Sequence, residues 1–273
     1  TADIDNHSGK FVAEQDLMLR TAGAVDNRQG EMSAGQTLSV ADSRQIDNTA
    51  GTMHAGELLR LSNTSLAGGG KFLSDRNLEL ALRDSYTLEA GGVISVNGNL
   101  SVASRGDITN HGQIMGGTAV TVSGRNVNNE ATGTISSAGT TTVKADNTVT
   151  NRGLIDGRHT RIQAGTLVNI GTGRIYGDHV SIAAGTVNNL SEGTGPAAPG
   201  ATIAAREQLD IGAQAISNQT GSSLLSLGRL NVAGALDAQG IANIGQTVVL
   251  HNNAASIESK GDMALNVANI HNT

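Results

Sequence analysis

The feature that most constrains the fold of this chain is an asparagine that returns at a nearly constant interval. The tripeptides Ile4-Asp5-Asn6, Val25-Asp26-Asn27 and Ile46-Asp47-Asn48 repeat this residue twice at a step of 21. Each is followed by a glycine and then by an alternating segment such as Leu38-Ser39-Val40, and the unit recurs along the chain. A unit of this size cannot bury its apolar side alone, so successive copies have to stack on one another.

The residues within each unit alternate between apolar and polar, which indicates short strands rather than helices. Aromatic residues make up only 1% of the chain, so we expect a narrow core of aliphatic side chains. The sequence therefore predicts an all-β fold, a parallel β-helix (β-solenoid) of about 20-residue coils. The recurring asparagine is predicted to form a structural ladder, because stacked amides donate to and accept from one another.

Two segments interrupt the regular pattern. Residues 63–95 lose the asparagine element but keep the Leu-x-Leu strands, so the coils are expected to continue with one altered face. Residues 191–200 contain both prolines, which cannot donate to a sheet ladder, and are predicted to be an extruded Gly/Pro loop. The sequence thus predicts regular β-helix repeats over 1–190, the loop over 191–200, and continuing, less regular repeats over 201–273.

Composition argues against several classes of function. The net charge of −6, with both signs spread along the chain, speaks against nucleic-acid binding. The lack of cysteine excludes disulfides, cysteine-ligated zinc and thiol catalysis, and no apolar run approaches the roughly 20 residues of a membrane helix. The seven histidines show no metal-ligand spacing and the carboxylates occur singly. We therefore expect no metal, no cofactor, no enzyme activity and no membrane insertion.

The stretches NRGLIDG at residues 151–157 and GTGRIYGD at residues 171–178 resemble the repeat region of filamentous haemagglutinins. They are equally similar to the related contact-dependent growth-inhibition exoproteins, and the resemblance covers nearly the whole chain. It implies a right-handed parallel β-helix from the shaft of a very large exoprotein, of which this chain is expected to be a part. Such proteins leave Gram-negative bacteria by two-partner secretion, through an outer-membrane transporter partner, and are secreted or stay at the cell surface.

From this resemblance we expect a non-enzymatic segment of a surface adhesin whose β-helical shaft mediates attachment to host cells. The alternative is the shaft of a contact-dependent growth-inhibition exoprotein, which presents receptor-binding and toxin regions to neighbouring bacteria. A third possibility, a polysaccharide-cleaving β-helix, would need an acidic cleft on one face.

The triplet Arg105-Gly106-Asp107 is the candidate receptor site. Aligning the repeats places it over Ser43-Arg44-Gln45, in the polar turn that joins one coil to the next. Glycine and aspartate suit such a turn for conformational reasons alone, but an exposed turn is also where an integrin-like host-cell receptor would find its ligand. If the triplet binds a receptor, Gly106→Ala or Asp107→Glu is expected to weaken cell attachment without changing the fold.

A second, weaker candidate is a basic patch for sulphated or other anionic glycans. Stacking of the coils would collect its members, which are Lys144, Arg152, Arg158, Arg161 and Arg174. Asp146, Asp156 and Asp178 dilute the positive charge of this region, so a solvated face is the competing interpretation.

Overall fold

The computed structural model describes residues 2–193 and 198–273. Every regular element in those ranges is a β-strand, so the all-β prediction is confirmed. The chain divides into two compact units, residues 1–128 with 132–138 and residues 129–131 with 139–273. Each unit is a parallel β-solenoid with coils of about 21 residues, as predicted. The right-handed sense of the coil stays a prediction.

The strands of the first unit, the last of which but one ends a residue beyond it, are β1 (Ile4–Asp5), β2 (Lys10–Ala13), β3 (Leu17–Arg20), β4 (Ala24–Asp26), β5 (Glu31–Ala34), β6 (Thr37–Ala41), β7 (Gln45–Asp47), β8 (Thr52–Ala55), β9 (Leu58–Asn63), β10 (Ser65–Ala67), β11 (Lys71–Ser74), β12 (Asn77–Leu82), β13 (Tyr86–Leu88), β14 (Val93–Val96), β15 (Asn99–Ser104), β16 (Ile108–Asn110), β17 (Gln113–Gly116), β18 (Ala119–Asn129) and β19 (Thr134–Ser137). Those of the second unit are β20 (Thr140–Asn151), β21 (Leu154–Ile170), β22 (Arg174–Leu190), β23 (Thr202–Gln219), β24 (Ser223–Ser226), β25 (Arg229–Ala233), β26 (Ala235–Leu236), β27 (Ala242–Ile244), β28 (Thr247–Asn253), β29 (Ser256–Ser259), β30 (Met263–Leu265) and β31 (Val267–Asn272).

Strands one coil apart pair in parallel and in register, which stacks like residues into columns. Leu17 pairs with Leu38, Leu38 with Leu59, and Leu59 with Leu78. Leu38 and Leu59 are fully buried, whereas the residues that alternate with them along β6 and β9 face outwards. Burial of each such leucine contributes about 2 kcal/mol of transfer free energy. The alternation seen in the sequence is thus the alternation between core and surface.

The asparagine ladder is confirmed in both units. In the first unit, the Nδ2 of Asn6 donates to the Oδ1 of Asn27 at 2.7 Å, and Asn27 donates in the same way to Asn48 at 2.6 Å. In the second unit each amide donates to the next at 2.8 Å, and the members are Asn129, Asn151, Asn169, Asn189, Asn218, Asn252 and Asn272. A buried amide inside the series is satisfied by its copies and by a backbone carbonyl, as Asn27 is by Asn48 and by the carbonyl of Thr52.

In the first unit, the parallel pairing continues through residues 63–95 without the ladder, as expected. Leu88 pairs in register with Asn110 and is fully buried, so a leucine occupies the ladder position. Tyr86, two residues before it, is also buried, and its hydroxyl has no hydrogen-bond partner among the described residues. Asn63 makes a different contact from the ladder amides, since its Oδ1 accepts from the backbone N–H and the hydroxyl of Ser43, at 3.1 and 2.7 Å.

The second unit contains two insertions. Ser191 and Gly200 form an antiparallel bridge at the base of the predicted Gly/Pro loop, of which residues 194–197 lie outside the described residues. The second insertion is a hairpin in which β26 and β27 pair antiparallel. The predicted division of the chain at residues 191 and 200 stays a prediction.

Candidate functional site

The Arg105-Gly106-Asp107 triplet lies in the connection between β15 and β16, as the repeat alignment predicts. Two serine hydroxyls hold this turn. The backbone N–H of Gly106 donates to the Oγ of Ser104 at 2.9 Å, and that of Asp107 donates to the Oγ of Ser85, one coil earlier, at 3.0 Å. The turn is therefore fixed to the coil below it.

Gly106 is needed because the neighbouring coil passes close to it. A Cβ atom at this position would lie 2.6 Å from the backbone nitrogen of Ser85 and 2.9 Å from its Cα. Backbone atoms at that distance cannot give way cheaply. The expectation that Gly106→Ala leaves the fold unchanged is wrong, and this substitution cannot serve as a clean test of receptor binding.

The Asp107 carboxylate is held by the following coil. Arg125 donates to both of its oxygens, from Nε at 2.9 Å and from Nη2 at 3.0 Å, and the amide of Asn126 donates to Oδ1 at 2.9 Å. The hydrogen bonds from Arg125 hold the pKa of Asp107 below its usual value, against the opposing effect of partial burial. A receptor that binds this carboxylate has to take it from Arg125.

Arg105 lies against the preceding coils instead. Its side chain is exposed, has no ion pair among the described residues, and lines a polar groove of about 380 Å³ together with Arg83 and Asp42. The two charges of the triplet thus face opposite neighbours. The partner of Asp107 was accessible to sequence reasoning, since aligning the repeats places Arg125 in the equivalent turn of the next coil.

Two members of the predicted glycan patch are occupied by other contacts. The Nε of Arg152 lies 3.0 Å from a carboxylate oxygen of Glu192, and its Nη1 lies 3.8 Å from a carboxylate oxygen of Glu130. Arg174 donates from Nη1 to backbone carbonyls, among them that of Gly200 at 3.1 Å. Both guanidiniums are therefore already partly engaged, and the charge of Arg152 is paired with that of Glu192.

The remaining members lie elsewhere on the coil. Lys144 pairs in register with Gln163, and Arg161 is two residues before Gln163, so Lys144 and Arg161 occupy the same outer face on successive coils. Both are exposed, as is Arg158, which lies three residues before Arg161 in β21. The structure therefore brings together two of the five predicted residues rather than all five.

Arg161 also lines a groove of about 370 Å³ between this outer face and the β26–β27 hairpin. Small residues form its floor, including Ser181, Ala183 and Gly212, and the hairpin residues 235–240 form its wall. The groove is a concave, partly polar site of the size that small ligands occupy.

A fully buried carboxylate, Asp210, fixes that hairpin. One oxygen accepts from the Nε2 of His179 at 2.7 Å and from the Gln208 amide at 2.8 Å, and the other accepts from Asn231 and from the backbone N–H of Ala242, both at 2.9 Å. Burial raises the pKa of Asp210, but the hydrogen bonds, that from His179 first, more than offset this and lower it. The carboxylate is ionised and saturated with donors.

The grouping of Ser181, His179 and Asp210 does not form a nucleophilic triad. The Ser181 hydroxyl lies 3.4 Å from His179 Nε2, the same nitrogen that contacts Asp210. A triad needs the carboxylate on one ring nitrogen and the serine on the other, so that the second nitrogen can accept the serine proton. Because an ionised carboxylate only accepts, Nε2 carries the proton here, and the cluster serves to hold the hairpin.

Sequence reasoning missed this cluster, because Asp210 alternates with the inward residues Leu209 and Ile211, and strand alternation places such a residue on the outer face. In the structure the hairpin, which contributes the backbone N–H of Ala242, lies over this carboxylate. The signal was the spacing of the ladder, since Asn218 and Asn252 are 34 residues apart and the intervening chain exceeds one coil.

Within residues 2–193 and 198–273, no group of three or more His, Asp or Glu side chains is arranged to hold a metal ion. The part of the chain that the structure describes contains no helix with the length and apolar character that crossing a membrane requires.

Comparison with known protein families supports the repeat assignment. A family model described as haemagglutinin repeat matches residues 1–125 and 113–193. Searches of curated proteins and of solved structures gave no match.

Proposed function

The chain belongs to the haemagglutinin-repeat family, and on that premise we propose that it is a segment of a large secreted bacterial surface adhesin. The β-solenoid and the family fit the shaft of a filamentous-haemagglutinin-like protein. In this proposal the shaft has no enzymatic role. It carries binding surfaces, mediates attachment to host cells, and reaches the outside of a Gram-negative cell through an outer-membrane transporter partner.

The observation that carries the proposal is the self-sufficiency of the coils. Their inner columns are filled by stacked aliphatic side chains and by amides that bond to their own copies, as at Asn151 and Asn169. The outer side chains and the turns between strands are consequently not needed for packing of the core. A scaffold of this kind supports binding surfaces at its turns.

Within this proposal, the Arg105-Gly106-Asp107 turn is the receptor-binding element. The exposed Arg105 supports this role, whereas the Asp107 carboxylate is available only after its release from Arg125. The side chains of the Arg125–Asp107 ion pair are 56% and 33% exposed, so breaking this ion pair costs little free energy. A receptor that binds Asp107 therefore competes with Arg125.

That competition gives a direct test. In attachment of the chain to cultured host cells, Arg125→Ala is expected to raise attachment several-fold because it frees the carboxylate, and Asp107→Glu is expected to lower it. Arg44→Ala is the matched control, since it removes an exposed arginine from the equivalent turn of another coil. If all three variants attach as the wild type does, the triplet is only a turn. If the wild type attaches to bacteria and not to host cells, the growth-inhibition alternative is correct and the host adhesin proposal fails.

A further inference from the structure

The β26–β27 hairpin is one of the two insertions in the second unit. Ladder asparagines between Asn129 and Asn189 are 18 to 22 residues apart, whereas Asn218 and Asn252 are 34 apart. The extra residues form the hairpin, which folds back over the outer face of β21 to β23. An insertion that leaves the ladder unbroken is not needed to build the coil.

Several independent contacts hold the hairpin in place. The buried Asp210 accepts the backbone N–H of Ala242, and the side chain of Gln214 donates to the carbonyl of Gly234 at 3.1 Å. At the tip, the Oδ1 of Asp237 accepts two backbone N–H groups, those of Gln239 and Ile241, at 2.9 Å each. The wall of the groove is therefore built before any ligand arrives.

Among the described residues, the groove is lined by one cation without an ion pair, Arg161, and by one carboxylate, Asp237, whose oxygens are already hydrogen-bonded. Arg161 is exposed and has no ion pair among the described residues, and Lys144 lies on the same face one coil away. The acidic residue of the groove, Asp237, is already bonded to its own backbone and to the amide of Asn243 at 2.6 Å, and these hydrogen bonds, the backbone N–H of Ile241 first, hold its pKa below the usual value. An anionic group in the groove thus meets an unpaired guanidinium.

The other lining groups suit hydroxyls. Gln163 and Gln239 present amides, each with donors and an acceptor, and Ser181 presents a hydroxyl. Ala183 and Gly212 leave a flat floor against which a ring can lie. The volume of about 370 Å³ is at the lower end of the range for small-ligand sites. One cation, several amide and hydroxyl groups and a flat floor together match a sugar that carries an acidic group.

We propose that the groove between the hairpin and the outer face of the coils binds an acidic sugar unit of a surface glycan, with Arg161 contacting its carboxylate or sulphate. Gln163 and Gln239 bind its hydroxyls, and Lys144 attracts the next acidic unit of the same polymer. This site rests on the proposed adhesin function and gives it a ligand class. It replaces the five-residue basic patch by one groove that keeps Arg161 and Lys144.

The test measures binding of the purified chain to three soluble oligosaccharides by titration calorimetry at low salt: an oligogalacturonate, a sulphated oligosaccharide and an uncharged oligoglucan. Binding of either acidic oligosaccharide, and not of the uncharged one, is expected, and the preferred acid identifies the group that Arg161 contacts. Arg161→Ala should weaken this binding about tenfold. Arg158→Ala is the matched control, because it removes the same charge from an exposed position outside the groove.

A second variant, Ala183→Leu, fills the floor without changing the charge and is expected to abolish binding. Equal losses for Arg161→Ala and Arg158→Ala would show a general charge effect and overturn the site, as would equal binding of the uncharged sugar or unaltered binding by Ala183→Leu. Host-cell attachment is scored separately on the same preparations. Attachment without binding of either acidic sugar refutes the groove and leaves the adhesin proposal standing, whereas sugar binding without attachment does the reverse.

Discussion

The coils of residues 129–189 and the segment of residues 63–95 fill the same inner position in different ways. In the former, Asn151, Asn169 and Asn189 form an unbroken series of Nδ2–Oδ1 hydrogen bonds of 2.8 Å. In the latter, the buried Leu88 takes the register position of the amide, and Tyr86 packs nearby. The inner position therefore accepts either an amide or an apolar side chain.

The border of residues 63–95, the apolar gap in the ladder, shows what an amide loses when the next coil has no copy of it. At this border the Nδ2 of Asn48 donates to the backbone carbonyls of Gly51 and Lys71, both at 3.3 Å. Inside a series an amide also donates to a backbone carbonyl, as Asn27 does to Thr52 at 3.3 Å, but it donates to its copy in the next coil as well. Among the described residues, the Nδ2 of Asn48 keeps only the bonds to the backbone. A single apolar residue inside a series would remove two amide–amide hydrogen bonds.

The largest effect is expected from Asn169→Ala, which breaks the ladder in the middle of a series. Asn169 accepts from Asn151 and donates to Asn189 and to the carbonyl of Thr202. Its loss leaves buried groups unsatisfied and should lower the free energy of unfolding by about 3 kcal/mol. Urea unfolding followed by circular dichroism measures the change.

The matched control for this substitution is Asn147→Ala, which truncates an exposed asparagine of the same unit. Its effect should stay within about 0.5 kcal/mol. Equal destabilisation by the two variants would mean that the ladder adds no more stability than any surface amide.

The regular part of the fold could be predicted from the sequence because the information is repeated there. Asn6, Asn27 and Asn48 recur at one step, and in a parallel stack a common step means a common position. The sequence also shows that residues 63–95 lack the amide. It does not show that the Tyr86 hydroxyl is buried without a partner, since that depends on which side chains surround one position of one coil.

The candidate sites were predictable in part, for the same reason. The turn position of Arg105-Gly106-Asp107 follows from the alignment of repeats, whereas the close approach of Ser85 to Gly106 depends on the path of the backbone. The burial of Asp210 and the groove beside Arg161 depend on a hairpin that occurs once. Features without a copy elsewhere in the chain carry no periodic signal and have to be seen in three dimensions.

An intermediate effect is expected from Leu88→Asn, which places an amide inside the apolar gap. The new side chain would face Asn110 on one side only, and burial of the leucine would be lost. We expect a loss of about 2 kcal/mol in the free energy of unfolding. The same change at Leu73, a half-buried outward position of the gap, is the control and should have less than half this effect. A neutral or stabilising Leu88→Asn would show that the ladder can be extended into the gap and that the leucine is not required for stability at this position.

The smallest effect, and the one of opposite sign, is expected from Tyr86→Phe. The Tyr86 side chain is 1% exposed, its hydroxyl has no partner among the described residues, and burial raises its pKa far above the usual value. Removal of a buried and unsatisfied hydroxyl removes a desolvation penalty, so the variant should be equal to the wild type or more stable by up to about 1 kcal/mol. Tyr176→Phe, at a partly exposed position of the other unit, should leave the unfolding midpoint unchanged. A clear destabilisation by Tyr86→Phe alone would mean that the hydroxyl is bonded in solution, and the apolar gap would then contain a polar contact of its own.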